Sequence, residues 1–130
     1  GGVTLPARDV RERFIDIYSP NEPVLQFAEE LAAEVPIGLV SNTNKLHFEE
    51  YVRRTPIFPR FSAVALSYVV GSMKPDSPIY ESALEQLDLS PVDCVFVDDL
   101  EANVVAAKSL GFEAIHYCFG MDLRAMVARL

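Results

Sequence analysis

The chain has 130 residues, half of them hydrophobic, with a formal net charge of −8 at pH 7. This length is enough for one domain with a packed core. The 11 basic residues form no lysine or arginine run and face 19 acidic ones. The composition therefore argues against a nucleic-acid or anionic-membrane partner, because such surfaces need basic patches. A small phosphorylated ligand, which needs only one or two local cations, is compatible with this charge.

Two further features concern the cellular compartment. No apolar run reaches the roughly 18 residues that a transmembrane helix needs, and the chain opens without a basic-then-apolar signal peptide. The two cysteines, Cys94 and Cys118, lie outside metal-binding spacings such as C-x-x-C. Two free thiols fit a reducing compartment, so we expect a cytoplasmic protein in which these cysteines are not disulfide-bonded.

The N-terminal part of the chain predicts two helices. The first comes from the stretch LPARDVRERFIDIY, whose apolar residues recur at helical spacing. They are Val10, Phe14, Ile17 and Tyr18. After the break at SPNEP, a second helix is expected to begin with Asn21 as its N-cap and to end before Pro36.

Four short apolar runs follow and alternate with helical patterns. They are IGLV (37–40), AVALS (63–67), CVFV (94–97) and AIHY (114–117). The intervening helices are predicted from KLHFEEYVRR, PIYESALEQL and residues 101–110, and MDLRAMVARL closes the chain. Because the strands are continuously apolar rather than alternating, both faces of the sheet must be covered. The sequence therefore predicts an α/β fold, a Rossmann-like parallel sheet with helices on both faces.

Polar side chains follow three of these strands directly or by a short loop. Ser41 and Asn42 come after the first run, Lys74 follows the loop after the second, and Asp98 and Asp99 follow the third. Ligands of open α/β sheets bind at the carboxyl ends of the strands. Carboxylates are the hard oxygen ligands that Mg²⁺ prefers, while a hydroxyl and a lysine can hold phosphoryl oxygens. This edge thus gathers what a phosphoryl group and a magnesium ion need together.

Each of these residues also has a purely structural interpretation. One acid alone can be the N-cap of the following helix, Ser41 and Asn42 can cap the next helix, and Lys74 can be a solvated surface lysine. The two acids together favour a cation site. Adjacent carboxylates at the end of a buried strand repel each other and lose water, which is costly unless a cation or a proton is present.

Three other polar residues have less specific interpretations. Asn103, four residues after Asp99, either orients an acid or faces solvent. His47 is interpreted as an ordinary exposed helix residue, and His116, within an apolar strand, as a packing residue.

In this order, the stretches IGLVSNTN, GSMKPDSPIYESAL and VFVDDLEANVVAAKSLGFEAIHY resemble three of the four motifs of the haloacid dehalogenase-like (HAD) hydrolases. The small-helical-cap subgroup of sugar-phosphate (glucose-1-phosphate) phosphatases is the most similar. The resemblance implies that Ser41 hydrogen-bonds the transferring phosphoryl group beside the Asn42 backbone, and that Lys74 neutralises charge. It also implies that Asp98 binds Mg²⁺, with Asp99 as a second ligand.

The first motif of that family, an apolar strand followed by D-x-D, is absent from the chain. In the family it supplies the aspartate nucleophile and the general acid/base. The resemblance therefore implies that residues 1–20 are a remnant of the helical cap and its return to the core, and that residues 21–130 are a HAD core lacking its first strand. The chain is expected to be an inactive part of a Mg²⁺-dependent phosphomonoesterase acting on a small phosphorylated metabolite.

Three other functions are compatible with parts of this pattern. A non-catalytic HAD-fold pseudo-enzyme or binding domain stays open, because the nucleophile is absent; an upstream strand ending in D-x-D would distinguish the two. A two-component receiver domain has its acids before its lysine, the reverse of the order here. A dehalogenase needs no Mg²⁺, so the Asp98–Asp99 pair favours a phosphatase.

The absent strand also has a structural consequence. By resemblance it would lie between the strands at 37–40 and 94–97, which lose their central hydrogen-bond partner. Buried unpaired backbone groups cost about 1–3 kcal/mol each. The two strands can pair directly, a segment of another copy can fill the gap, or a separate piece of the natural protein can supply the strand. We expect direct or intermolecular filling, and a chain that is unstable or self-associated when alone.

Overall fold

The computed structural model describes the backbone of residues 2–6, 12–16 and 22–25 and the complete residues 26–118 and 120–130. The strands are β1 (Gly2–Pro6), β2 (Glu12–Asp16), β3 (Ile37–Ser41), β4 (Phe61–Leu66), β5 (Val95–Asp98) and β6 (Glu113–His116). The helices are α1 (Glu22–Ala32), α2 (Lys45–His47), α3 (Ser67–Val70), α4 (Ser77–Leu87), α5 (Glu101–Leu110) and α6 (Leu123–Ala128). A π-helical turn covers Phe48–Val52, and 3₁₀ turns cover Phe58–Arg60 and Pro91–Asp93.

The central strands form two parallel pairs, with β3 beside β4 and β5 beside β6. The connection within each pair contains a helix, α2 between β3 and β4 and α5 between β5 and β6, because parallel strands need a crossover connection. The predicted α/β fold with parallel strands is confirmed. None of the helices in the part of the chain described above is long and apolar enough to cross a membrane.

Helices cover both faces of the strands, which is why the strand sequences are continuously apolar. Along β5, Val95 and Val97 pack in a cluster with residues of α1 and α6. Phe96, between them, packs in a second cluster with residues of α4 and α5. Successive side chains of a strand point to opposite faces, so every residue of this strand meets a helical layer and is buried.

The N-terminal segments form a β-hairpin where a helix was predicted. β1 and β2 pair antiparallel, with Gly2 opposite Asp16 and Pro6 opposite Glu12. The predicted helix is therefore wrong for Glu12–Asp16; Val10, Ile17 and Tyr18 lie outside the described residues. The register places Ile15 opposite Val3, and such β-branched pairs favour strand pairing over a helix. The assignment of residues 1–20 to a cap remnant and of 21–130 to the core stays a prediction.

The same hairpin lies close to both β3 and β5, the two strands that were expected to flank a gap. Among the described strands, the hydrogen-bonded neighbours are β1 with β2, β3 with β4 and β5 with β6. Direct pairing of β3 with β5 is therefore wrong, because the chain's own hairpin takes the space. Self-association stays a prediction.

Removal of residues 1–16 tests the role of the hairpin. Without it, the apolar inner edges of β3 and β5 lose their cover, and unpaired strand edges readily pair with another chain. We expect a lower thermal unfolding midpoint and concentration-dependent self-association in sedimentation velocity, compared with the intact chain. A truncated chain that stays monomeric with an unchanged midpoint would contradict this role.

Candidate active site

A buried ion pair joins the carboxyl ends of β3 and β5. The Lys74 Nζ atom lies 2.9 Å from Asp98 Oδ2, and the two side chains are only 2% and 1% exposed. Nζ also donates a hydrogen bond to the carbonyl oxygen of Val40 at 3.0 Å, and it lies 5.8 Å from the ring centroid of Phe96. Lys74, from the connection between α3 and α4, thus links the carboxyl-terminal residues of β3 and β5.

Burial acts on both members of this pair. It lowers the pKa of Lys74, while the charge of Asp98 and the hydrogen bond to it oppose that shift. Burial alone would raise the pKa of Asp98, but the Lys74 ammonium and the Leu100 N–H hold it below its usual value. The lowered pKa of Asp98 and the 2.9 Å distance between Nζ and Oδ2 favour an ion pair at neutral pH.

The carboxylate of Asp98 is held by donors on both oxygen atoms. Its Oδ1 accepts from the backbone N–H of Leu100 at 2.8 Å, and its Oδ2 also accepts from Nδ2 of Asn103 at 3.0 Å. The buried Tyr80 hydroxyl in turn donates to the carbonyl oxygen of Asn103 at 2.8 Å. Asn103 therefore orients the acid, the first of the two interpretations left open by the sequence.

Asp99 differs from its neighbour in exposure. Asp98 is 1% exposed, whereas Asp99 is reached by solvent. Partial burial, followed by the hydrogen bond and the like charge of Asp98, raises the pKa of Asp99. With one ammonium and two carboxylates, this edge carries an excess negative charge that favours a bound cation.

Ser41 and Asn42 close the site on the β3 side. The Asn42 carboxamide bonds both backbone groups of Lys74: Nδ2 donates to the carbonyl oxygen at 3.0 Å, and Oδ1 accepts from the N–H at 2.8 Å. Half-buried Ser41 lies between Val40 and Asn42, which both contact Lys74. All five residues predicted from the sequence therefore lie at one edge of the strands, as expected.

The side chains at this edge determine which metal ion can bind there. Within residues 26–118 and 120–130, no group of three or more histidine, cysteine, aspartate or glutamate side chains is placed to hold a metal ion. A closed zinc site, with four protein ligands, does not fit such a set. Two adjacent carboxylates do fit Mg²⁺, which commonly binds through one or two carboxylates while keeping several waters or phosphate oxygens.

Sequence reasoning missed the buried hydroxyl of Tyr80, since a tyrosine on the inner face of a helix is ordinary core. His47 is exposed, as expected. His116 is exposed and not a packing residue; its Nε2 lies 2.9 Å from the carbonyl oxygen of Asp99. Cys94 is buried and Cys118 is exposed, and no disulfide joins them, as predicted.

Replacing one member of the ion pair tests its contribution to stability. Asp98→Asn leaves the Lys74 charge buried without its counter-ion, so we expect the free energy of unfolding to fall by about 3–5 kcal/mol. Glu50→Gln is the control, because Glu50 pairs with Arg54 on the surface, 3.7 Å apart, and should cost at most about 1 kcal/mol. Urea unfolding measures both. Equal losses would show that the buried pair has no special role.

The pH dependence of the same variant tests the ionisation of Asp98. Since its folded pKa lies below its unfolded value of about 3.9, its contribution is complete above that value and is lost as the pH falls through the folded pKa. The stability difference between the unchanged chain and Asp98→Asn should therefore stay constant from neutral pH to about pH 4 and shrink from there to about pH 3. A difference that stays constant in urea unfolding over this range would contradict an ionised Asp98.

Comparison with known proteins gives three relevant matches. The chain is 37% identical over 113 residues to a sesquiterpene phosphatase of Aspergillus oryzae, covering 83% of this chain and 58% of the relative. It is 35% identical over 81 residues to the beta-phosphoglucomutase of Bacillus subtilis, covering 62% and 35%. A HAD family enzyme of Bacteroides thetaiotaomicron, solved with magnesium and inorganic phosphate, shares the fold with a TM-score of 0.72 and 24% identity over 87% of this chain and 60% of that one.

The chain thus spans about a third of the length of the phosphoglucomutase and about three fifths of the length of the sesquiterpene phosphatase. The family model for haloacid dehalogenase-like hydrolases matches residues 3–111, which is most of the chain. This match includes the three strand ends and Lys74, together with the segments that hold them. The chain therefore belongs to the haloacid dehalogenase-like hydrolase family.

Proposed function

We propose that this chain is part of a Mg²⁺-dependent phosphomonoesterase that acts on a small phosphorylated metabolite. The observation that carries the proposal is the buried Lys74–Asp98 ion pair, with exposed Asp99 beside it at the carboxyl edge of the strands. Membership of the family and the phosphatase and phosphoglucomutase named among its relatives support it.

The hydrogen bonds distinguish the roles of the two acids. Both oxygens of Asp98 already accept from N–H donors, whereas Asp99 is exposed. We therefore assign direct contact with Mg²⁺ to Asp99, and to Asp98 the tasks of holding Lys74 and adding negative charge. This reverses the order that the family resemblance implied. When bound, Mg²⁺ supplies charge neutralisation for the phosphoryl oxygens.

The other residues act on the phosphoryl group through hydrogen bonds and charge. The ammonium of Lys74 stabilises negative charge in a site from which water is largely excluded, where such charge is worth more than in water. The hydroxyl of Ser41 and the backbone N–H of Asn42 are proposed to donate to phosphoryl oxygens. No D-x-D motif follows an apolar run in these 130 residues, so none of the residues assigned above is the phosphoryl acceptor.

A non-catalytic HAD-fold binding domain is the second candidate, and the absent D-x-D is the observation that favours it. For either candidate, we propose a cytoplasmic protein without nucleic-acid or membrane partners. The absence of a disulfide between Cys94 and Cys118 and the acidic composition support these proposals. Self-association of the chain also stays a proposal.

Metal binding provides a direct test. Titration with Mg²⁺ should shift the backbone amide NMR signals of residues 97–100, and Asp99→Asn should remove most of this response because it removes the exposed carboxylate. Asp88→Asn is the control, since Asp88 is an exposed acid after the end of α4 and has a left-handed backbone that asparagine tolerates. Equal responses in both variants would contradict the assignment of Asp99.

Activity separates the two candidates. The 130-residue chain alone should not hydrolyse an aryl phosphate with Mg²⁺, because it lacks a phosphoryl acceptor. A longer chain that includes an upstream strand ending in D-x-D should hydrolyse it, and Lys74→Ala should abolish this turnover. An inactive longer chain that binds phosphate would instead favour the binding domain, and Lys74-dependent turnover by the short chain would reveal an unrecognised acceptor.

A further inference from the structure

Two reciprocal pairs of hydrogen bonds tie the loop after β3 to the segment after β4. The first is the bond pair between the Asn42 carboxamide and the backbone of Lys74, at 2.8 and 3.0 Å. In the second, Ser67 Oγ accepts from the N–H of Thr43 at 2.8 Å and donates to the carbonyl oxygen of Thr43 at 2.8 Å. In each pair, one side chain satisfies both backbone groups of one residue, as a neighbouring strand would do.

These two ties hold both ends of one segment. Ser67 is the first residue of α3, and Lys74 follows the turn after this helix. Gly71 ends α3 with a φ of 80°, a conformation that glycine adopts without strain. Because consecutive residues 42 and 43 each hold one end of the segment, the loop and the segment form one unit at the edge of the site.

Lys74 contacts the residues on both sides of Ser41 in the chain. Lys74 Nζ donates to the carbonyl oxygen of Val40, the residue before Ser41, while the Lys74 backbone is held by Asn42, the residue after it. Lys74 is therefore fixed at both its backbone and its ammonium, on either side of Ser41 in the chain. Fixing a lysine side chain costs rotamer entropy, which a site built in advance does not lose on binding.

We propose that Asn42 and Ser67 are positioning residues of the phosphate site. Their side chains act through Lys74 and the Ser41 loop and not by touching the phosphoryl group. The inference rests on the proposed function and adds to it, since the family resemblance gave Asn42 only a backbone role and gave Ser67 none.

The test uses inorganic phosphate with Mg²⁺ and the 130-residue chain, with binding followed by amide NMR shifts of residues 41–44 and 74. Asn42→Ala and Ser67→Ala should each weaken phosphate binding about tenfold or more, equivalent to about 1.4 kcal/mol. Ser67→Thr keeps the hydroxyl and should restore binding to within about threefold of the unchanged chain, or about 0.6 kcal/mol.

Asn44→Ala is the matched control in the same loop. Exposed Asn44 caps α2 by accepting from the N–H of His47 at 2.8 Å, so its loss is a local structural change away from Lys74. This variant should change phosphate affinity less than about twofold. It therefore separates positioning of the site from a general loosening of the loop.

Each outcome decides the inference. Equal weakening by Asn42→Ala and Asn44→Ala, unchanged affinity in Asn42→Ala and Ser67→Ala, or no rescue by Ser67→Thr would overturn it while leaving the proposed function intact. No phosphate response in the unchanged chain would overturn the proposed function and this inference with it. Ser67→Ala leaves the Asn42–Lys74 bonds in place, so it decides the question even where Asn42→Ala does not fold.

Discussion

The buried charge of Lys74 is the constraint on which the rest of the site depends. An ammonium removed from water is tolerated only where charged and polar partners surround it. Here Asp98 neutralises it and the Val40 carbonyl accepts from it. Asp98 then needs its own donors, which Leu100 and Asn103 supply. One charge therefore requires partner groups from three separate elements, β3, β5 and α5.

The helices α4 and α5 in turn hold the residues that orient Asp98. Asn103 lies in the first turn of α5, and the hydroxyl of Tyr80 in α4 donates to its carbonyl oxygen. Tyr80 also packs against Phe96 of β5, with the ring centroids 5.2 Å apart in an edge-to-face geometry. The aromatic core between the strands and these two helices thus fixes the same residues that orient Asp98. The same residues therefore contribute both to core packing and to the geometry of the site.

Much of this arrangement could be predicted from the sequence. Continuously apolar runs marked β3 to β6, and Ser41, Lys74 and Asp98 could be placed at one edge because parallel strands end on the same side. The N-terminal hairpin could not be predicted, because the apolar residues around Phe14 and Ile15 fit the spacing of a helix as well as that of a strand. Pairing with β1 decides in favour of the strand.

The roles of individual polar side chains were also beyond the sequence. An asparagine after a strand reads equally as a helix cap or as a ligand contact, and neither pattern reveals that Asn42 holds the backbone of Lys74. Nor does a pair of adjacent acids show which one is buried. Burial of Asp98 and exposure of Asp99 follow from the strand ending at Asp98, where the chain leaves the core.

A crystal structure of the chain soaked with Mg²⁺ and tungstate, an anomalously scattering mimic of phosphate, tests the central claim most directly. The account predicts tungstate within hydrogen-bond distance of the Ser41 hydroxyl and Lys74 Nζ, with Mg²⁺ in contact with the Asp99 carboxylate. Tungstate bound elsewhere on the surface, with this edge unchanged, would contradict the claim that the carboxyl ends of β3 and β5 form a phosphoryl site.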